Sequence, residues 1–250
     1  MGYGDEIMVT ALARRLRLQK GDGLPVRIVD RNGSARRNIM WDGNPDITQG
    51  VGKAAHNLLN APGHRHYIES KRWDKWTWKP WDASPGFIYL NDREEELAAQ
   101  YAGKIIVMPH IKALASPNKA WGWIAWTRLV RMAGEKGIAL TQLGTSSEAL
   151  LMGAHSITTS SFRDACAILS RARAAVLLEG GLHHAAAAFN VPAVVLFGGF
   201  ISPDITGYSM HTNLFTGGAA CGSRQACDHC KAAMKAITPE LVLDKLEALL

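Results

Sequence analysis

The chain has 250 residues, 47% hydrophobic and 20% charged, the make-up of a soluble globular protein of one large or two small domains with a sizeable core. A net charge of +6 and a pI of about 9.2 suit a partner carrying phosphate or carboxylate groups, whether nucleotide, nucleic acid or acidic glycan. No apolar run approaches the roughly 20 residues of a membrane span, and Asp5 and Glu6 ahead of an arginine-rich helix do not make a signal peptide, so the expected location is the cytoplasm.

In chain order, Gly2-Tyr3-Gly4-Asp5-Glu6 leads into an amphipathic helix over Ile7 to Leu18. Val26 to Asp30 reads as a strand closed by a turn at Arg31-Asn32-Gly33. Residues 41–66, rich in Gly, Asn, Pro and His, predict loops with a short helix near Lys53 to Leu59. Phe87 to Leu90 is a candidate strand and Glu94 to Tyr101 a helix. From Lys104 the alternation is cleaner. A strand (Lys104 to Met108), a helix (Trp121 to Lys136), a strand (Ile138 to Leu143) and a helix (Phe162 to Arg171) precede a βαβ unit at Ala174 to Phe197. Thr238-Pro239-Glu240 opens a capped C-terminal helix. This pattern predicts a doubly wound parallel sheet over residues 104–250 and a smaller, irregular α/β domain over 1–103.

The βαβ unit is the most informative stretch. The apolar run Ala174 to Leu178 stops at Glu179-Gly180-Gly181, and a small-residue helix follows from Leu182. The two glycines let backbone N–H groups at the helix start approach a ligand, and the positive end of the helix dipole favours an anion such as a diphosphate. His183 and His184 sit in the first turn, placed to reach the same ligand.

Other constellations admit two readings each. Asp5 either takes a proton from an incoming hydroxyl or simply caps its helix. The loop is no dinucleotide fingerprint, because the third glycine would fall on Ile7, which disfavours a nicotinamide-dependent dehydrogenase. Lys119, in Pro117-Asn118-Lys119-Ala120-Trp121, lies past the first strand of the second domain, where it either neutralises a ligand phosphate or is a solvated surface charge. Between Lys71 and Trp81, four tryptophans alternate with four basic residues; Trp73, Lys75, Trp76 and Trp78 would form an acceptor surface for sugar or base, or pin a loop onto a small core. Cys221, Cys227 and Cys230, beside His229, carry the donors of a zinc site, although reduced structural thiols are the favoured reading; Cys166 reads as a core residue.

Gly4-Asp5-Glu6-Ile7-Met8, Lys119-Ala120-Trp121 with Trp126, Phe162-Arg163-Asp164, Glu179-Gly180-Gly181-Leu182-His183-His184 and Phe197-Gly198-Gly199 together resemble glycosyltransferase family 9, the heptosyltransferase-like enzymes. The segment from Cys221 to Met234 is similar to that family's cysteine-bearing tail. The resemblance implies a GT-B architecture, two Rossmann-like domains facing a cleft, here with a short N-terminal one. It implies an inverting transferase with a nucleotide sugar as co-substrate and no cofactor or metal required. Asp5 falls on the general base, Lys119 on the contact to the donor phosphates, and Glu179, Gly180, Gly181, Leu182 and His184 on the turn that holds sugar and diphosphate. This chain has Glu179-Gly180 where the family usually has Asp followed by Ser or Thr, so a hydroxyl contact to the donor is missing. The expected acceptor is a bacterial surface glycan. The alternatives are a hydroxylated base in DNA, suggested by the charge and the Trp–Lys stretch, and a catalytically silent nucleotide-sugar-binding module.

Overall fold

The computed structural model describes residues 2–50, 52–61, 64–112 and 115–250. Helix α1 (Tyr3–Lys20) opens with Asp5 and Glu6 in its first turn, closes with Arg17 and Lys20 in its last, and stops at the left-handed Gly21. It starts a turn earlier than the apolar periodicity indicates. Strand β1 (Val26–Val29) pairs in parallel with β2 (His56–Leu59), and β3 (Ile68–Lys71) forms an antiparallel hairpin with β4 (Trp76–Trp78). Then follow α2 (Asp92–Gln100), β5 (Ile105–Met108), α3 (Trp123–Glu135), β6 (Leu140–Gly144), β7 (His155–Thr158) and α4 (Phe162–Ser170). The chain ends with β8 (Ala174–Leu178), α5 (Gly181–Ala188), β9 (Ala193–Leu196), the short α6 (Pro203–Thr206), β10 (Thr212–Leu214), α7 (Asp228–Ala236) and α8 (Pro239–Glu247).

Six strands form one parallel sheet in the order β10-β9-β8-β5-β6-β7. Both faces are covered, so its central strands are continuously apolar rather than alternating. On β8, Ala175 and Leu177 join a core with Ile7 of α1, Cys166 of α4 and Ala185 of α5; Ala174, Val176 and Leu178 join the opposite core with Leu129 of α3 and Val242 and Leu246 of α8. The two-residue period of the strand thus feeds two helical layers. Helix α1 packs directly on α5, and α2 on α4. The expected doubly wound sheet is present from β5 onward. Ahead of it, the strands of the described residues form only the two-stranded β1–β2 sheet and the β3–β4 hairpin. No helix among the described residues is long and apolar enough to cross a membrane.

Several local expectations fail for identifiable reasons. The helix expected near Lys53 to Leu59 is instead β2, because its backbone groups complete the ladder of β1, a tertiary gain that outweighs helix propensity. Phe87 to Leu90 belongs to no strand or sheet. It is a strap across α1: Phe87 N–H donates to Thr10 Oγ1 at 2.7 Å, and a Cβ on Gly86 would stand 2.3 Å from the Ile7 carbonyl oxygen. Edge strands β7 and β10 carry short, largely polar sequences with too little apolar signal to be read. Val51, Pro62 and Gly63 of the segment read as loops lie outside the described residues.

Candidate functional site at the sheet switch point

The chain runs from β5 outward through β6 to β7, then returns to the other flank of β5 with β8. The connections leaving β5 and β8 therefore diverge, and in open α/β sheets that divergence makes the ligand crevice. The β5 connection ends in a single 3₁₀ turn, Pro117–Lys119, and the β8 connection is Glu179-Gly180 at the start of α5. Lys119 and Glu179 meet there as an ion pair, the lysine half-buried and the glutamate buried. Burial opposes ionisation of Glu179, but the attraction of the Lys119 ammonium outweighs it and holds the carboxyl below its usual range. Gly180 is the N-cap of α5 and offers no side chain to the first N–H groups of the helix.

Both α5 histidines are buried. Burial holds their pKa values down, His184 well below the ordinary value, so the rings are neutral. In neutral His183, Nε2–H donates to the Thr206 carbonyl at 2.8 Å, which leaves Nδ1 to accept from Gly180 N–H at 3.3 Å. His184 Nδ1 pairs with the Tyr208 hydroxyl at 2.7 Å. Burial pushes nearby His211 down to about 4. The unfolded chain protonates all three below about 6.5 whereas the folded chain resists doing so, so unfolding takes up protons. Stability should be flat in this respect above about pH 6.5 and fall on acidification toward about pH 4, by up to ~1.4 kcal/mol per pH unit per histidine. Urea unfolding across that range checks this, and a flat profile would contradict it.

Asp5 enters from α1. The Gly4–Asp5 turn lies against the α5 turn: a Cβ on Gly4 would come 2.5 Å from His184 Cδ2 and 3.6 Å from Gly181 Cα. The N-termini of α1 and α5 thus meet at one place, and both dipoles favour an anion there. Asp5 is 9% exposed; its Oδ1 accepts from the Tyr67 hydroxyl at 2.7 Å and lies 2.9 Å from Arg65 Nε, and its Oδ2 accepts from Gly2 N–H at 3.1 Å. Arg65, Tyr67 and Tyr208 were not legible as site residues; all three lie outside any motif and arrive by tertiary packing. Leu182 is buried in the core with α1 and α4.

The tryptophan stretch divides. Trp76 and Trp78 are half-buried in the hairpin and pack on Phe200, with Trp78 edge-on to that ring at 5.4 Å, so they pin the hairpin to the loop after β9. Trp73, at 78% exposure, lies apart near the hairpin turn, and Lys75 bridges by its backbone to Ser223. Three cations surround the Trp76 ring: Arg65 and Lys71 at 5.1 Å and Arg224 at 5.0 Å. Arg65 belongs to this group and to the Asp5 pair, so the cationic, aromatic surface adjoins the carboxylate.

Among the described residues, two side-chain groups bring metal-type donors together. In Glu179, His183 and His184 the donors are already engaged by Lys119, by two backbone groups and by Tyr208. In the other, Cys221 Sγ lies 3.1 Å from Cys230 Sγ and 3.8 Å from Cys227 Sγ, and Cys230 Sγ lies 3.8 Å from His229 Nδ1. Cys166 is buried in α4, and burial pushes its thiol up.

No protein-family model matches the sequence, and no curated protein matches it. Solved structures do match in fold. Escherichia coli ADP-heptose lipopolysaccharide heptosyltransferase II superposes with a TM-score of 0.50 at 20% identity, over 68% of this chain and 55% of its own. The fold is that of the family 9 glycosyltransferases. The glycosyltransferase family 9 protein of Veillonella parvula gives 0.50 at 15% identity, over 67% of this chain and 54% of its own. The dodecameric iron-containing heptosyltransferase TibC, solved with ADP-D-β-D-heptose, gives 0.50 at 15% identity, over 67% and 49%. The chain thus spans about half the length of these family 9 structures.

Proposed function

We propose that this chain is a nucleotide-sugar-dependent, inverting glycosyltransferase whose donor diphosphate sits between the N-termini of α1 and α5. The observation that carries this is the placement of two helix N-termini, Lys119 and Asp5 together at the sheet switch point. The uncapped N–H groups of α5 and the Lys119 ammonium are the donors such a diphosphate needs. Lys119 exchanges Glu179 for phosphate, and the released carboxylate accepts from a sugar hydroxyl. Asp5, exchanging one of its present partners for substrate, takes the proton of the acceptor hydroxyl. The acceptor oxygen then attacks the anomeric carbon from the face opposite the diphosphate. The anomeric carbon–oxygen bond to the diphosphate breaks, its electron pair leaves with the nucleoside diphosphate, and the configuration inverts. Fixed N–H groups and a cation at the departing charge stabilise this step without reorganisation.

The division at 1–103 and 104–250 belongs to this reading, with the acceptor on the first part. The cations around Trp76 beside Asp5 suit an acidic acceptor, for which we propose a bacterial surface glycan. A second reading, a silent nucleotide-sugar-binding module, draws support from Asp5, both of whose oxygens are engaged. The test is transfer from ADP-, UDP- and GDP-sugars to core oligosaccharide and, in parallel, to hydroxymethylated DNA, with the product anomer read by NMR. Transfer with inversion supports the enzyme. Donor binding without turnover or donor hydrolysis supports the silent module, and transfer with retention would overturn the mechanism.

A further inference from the structure

Cys221 lies in the loop after β10, Cys227 is the N-cap of α7, and His229 and Cys230 are in the first turn of that helix. Cys227 and Cys230 are three apart, a spacing that puts both on one side of a helix start. The ligand atoms of all four residues lie within 4.8 Å of one another. Tetrahedral coordination with bonds of about 2.3 Å to sulfur and about 2.0–2.1 Å to nitrogen gives S···S edges of ~3.8 Å and S···N edges of ~3.5 Å. The observed 3.8 Å separations from Cys221 to Cys227 and from Cys230 to His229 match that scale, and the 3.1 Å from Cys221 to Cys230 opens to it with a small side-chain rotation.

The surroundings favour bound metal over idle thiols. His229 Nε2–H donates to the Gly217 carbonyl at 2.7 Å, which leaves Nδ1, 3.8 Å from Cys230 Sγ, as the nitrogen that carries the lone pair. A backbone carbonyl on the far ring nitrogen is the usual way a metal-binding imidazole is oriented. Ser223 N–H points at Cys221 Sγ at 3.4 Å, a contact that stabilises a thiolate. A Cβ on Gly199 would stand 2.9 Å from His229 Nδ1, so the absence of a side chain at Gly199, after β9, gives the imidazole its space.

We propose that Cys221, Cys227, Cys230 and His229 hold a tetrahedral divalent transition-metal ion, zinc by its donor set, with the three thiols giving up their protons to solvent on binding. The ion closes the loop between Cys221 and Cys227, which ties two parts of the candidate site together. Asn118, beside Lys119, donates to the Ser223 and Gln225 carbonyls at 2.9 and 2.7 Å and accepts from Cys227 N–H at 3.1 Å. From the other side, Trp76 N–H donates to the Gly222 carbonyl at 2.9 Å. The metal is a structural clasp between the Lys119 turn and the tryptophan hairpin.

The test needs no sugar transfer, so its failure is separate from failure of the proposed function. The full chain, purified under reducing conditions and stripped with a chelator, is titrated with zinc and with cobalt, and its metal content as purified is measured for zinc and iron. The expected result is about one ion per chain, a rise in unfolding temperature with zinc, and a cobalt adduct with thiolate charge-transfer and intense tetrahedral d–d bands. His229→Ala and Cys227→Ser should weaken zinc binding by at least ~10–100-fold, with Cys166→Ser unchanged. Iron at the same ligands upholds the site and changes the ion. No metal bound by the unaltered chain, or a Cys221–Cys230 disulfide in the protein as isolated, would overturn the proposal.

Discussion

Asp5→Asn should slow sugar transfer by about 10²–10⁴-fold with little change in donor affinity. The substitution keeps the side chain's shape and its ability to accept from Tyr67 but removes the basic carboxylate. Arg65 then loses its anionic partner, so a modest loss of stability is also expected. Steady-state kinetics with the donor held saturating, alongside donor titration and thermal unfolding, separate these effects. A loss of kcat at unchanged donor affinity is the signature of a base. Unchanged transfer would remove Asp5 from the mechanism and leave it a helix cap anchored by Tyr67.

Lys119→Met should have the second large effect, on stability and binding together. It leaves buried Glu179 without its ion-pair partner, and breaking a buried pair from one side typically costs ~3–5 kcal/mol. The deficit should shrink on acidification, because Glu179 freed of Lys119 takes up a proton more readily. Glu179→Gln in the Lys119→Met background removes the uncompensated charge and should restore most of the stability. It should not restore donor affinity, since the ammonium that meets the diphosphate is still missing. Urea unfolding of the two single variants and the double variant forms the cycle. A double variant as unstable as Lys119→Met would show that the pair contributes through packing rather than charge.

The parts of the molecule legible in the sequence are those whose information is local. The run of Ala174 to Leu178, the glycines at 180 and 181 and the small-residue helix α5 are contiguous, and turn chemistry with apolar period fixes them. The same holds for β5, α3, β6 and α4, and so for the four inner strands of the parallel sheet but not for its polar edges β7 and β10. Residues 1–103 carry less local information, because β2 is a strand only through its ladder with β1 and the 87–90 strap is held by Thr10. In the site, Asp5, Lys119, Glu179 and the two histidines stood in recognisable motifs, and packing of α1 on α5 brings Asp5 to them. Arg65, Tyr67 and Tyr208 had no such signal. The pattern at Trp73 to Trp78 was visible, but not that Trp76 and Trp78 turn inward onto Phe200 while Trp73 stays out.

Calorimetric titration of ADP, UDP and GDP into the full chain and into Lys119→Met/Glu179→Gln tests the switch-point site most directly. A donor diphosphate held at the switch point requires that one of these diphosphates binds the unaltered chain and binds the double variant at least ~10-fold more weakly, a loss of about 1.4 kcal/mol. Selective ADP binding would point to an ADP-sugar donor, and UDP or GDP to another sugar. No binding to any of the three, or equal binding to the double variant, would contradict a donor diphosphate held between the N-termini of α1 and α5.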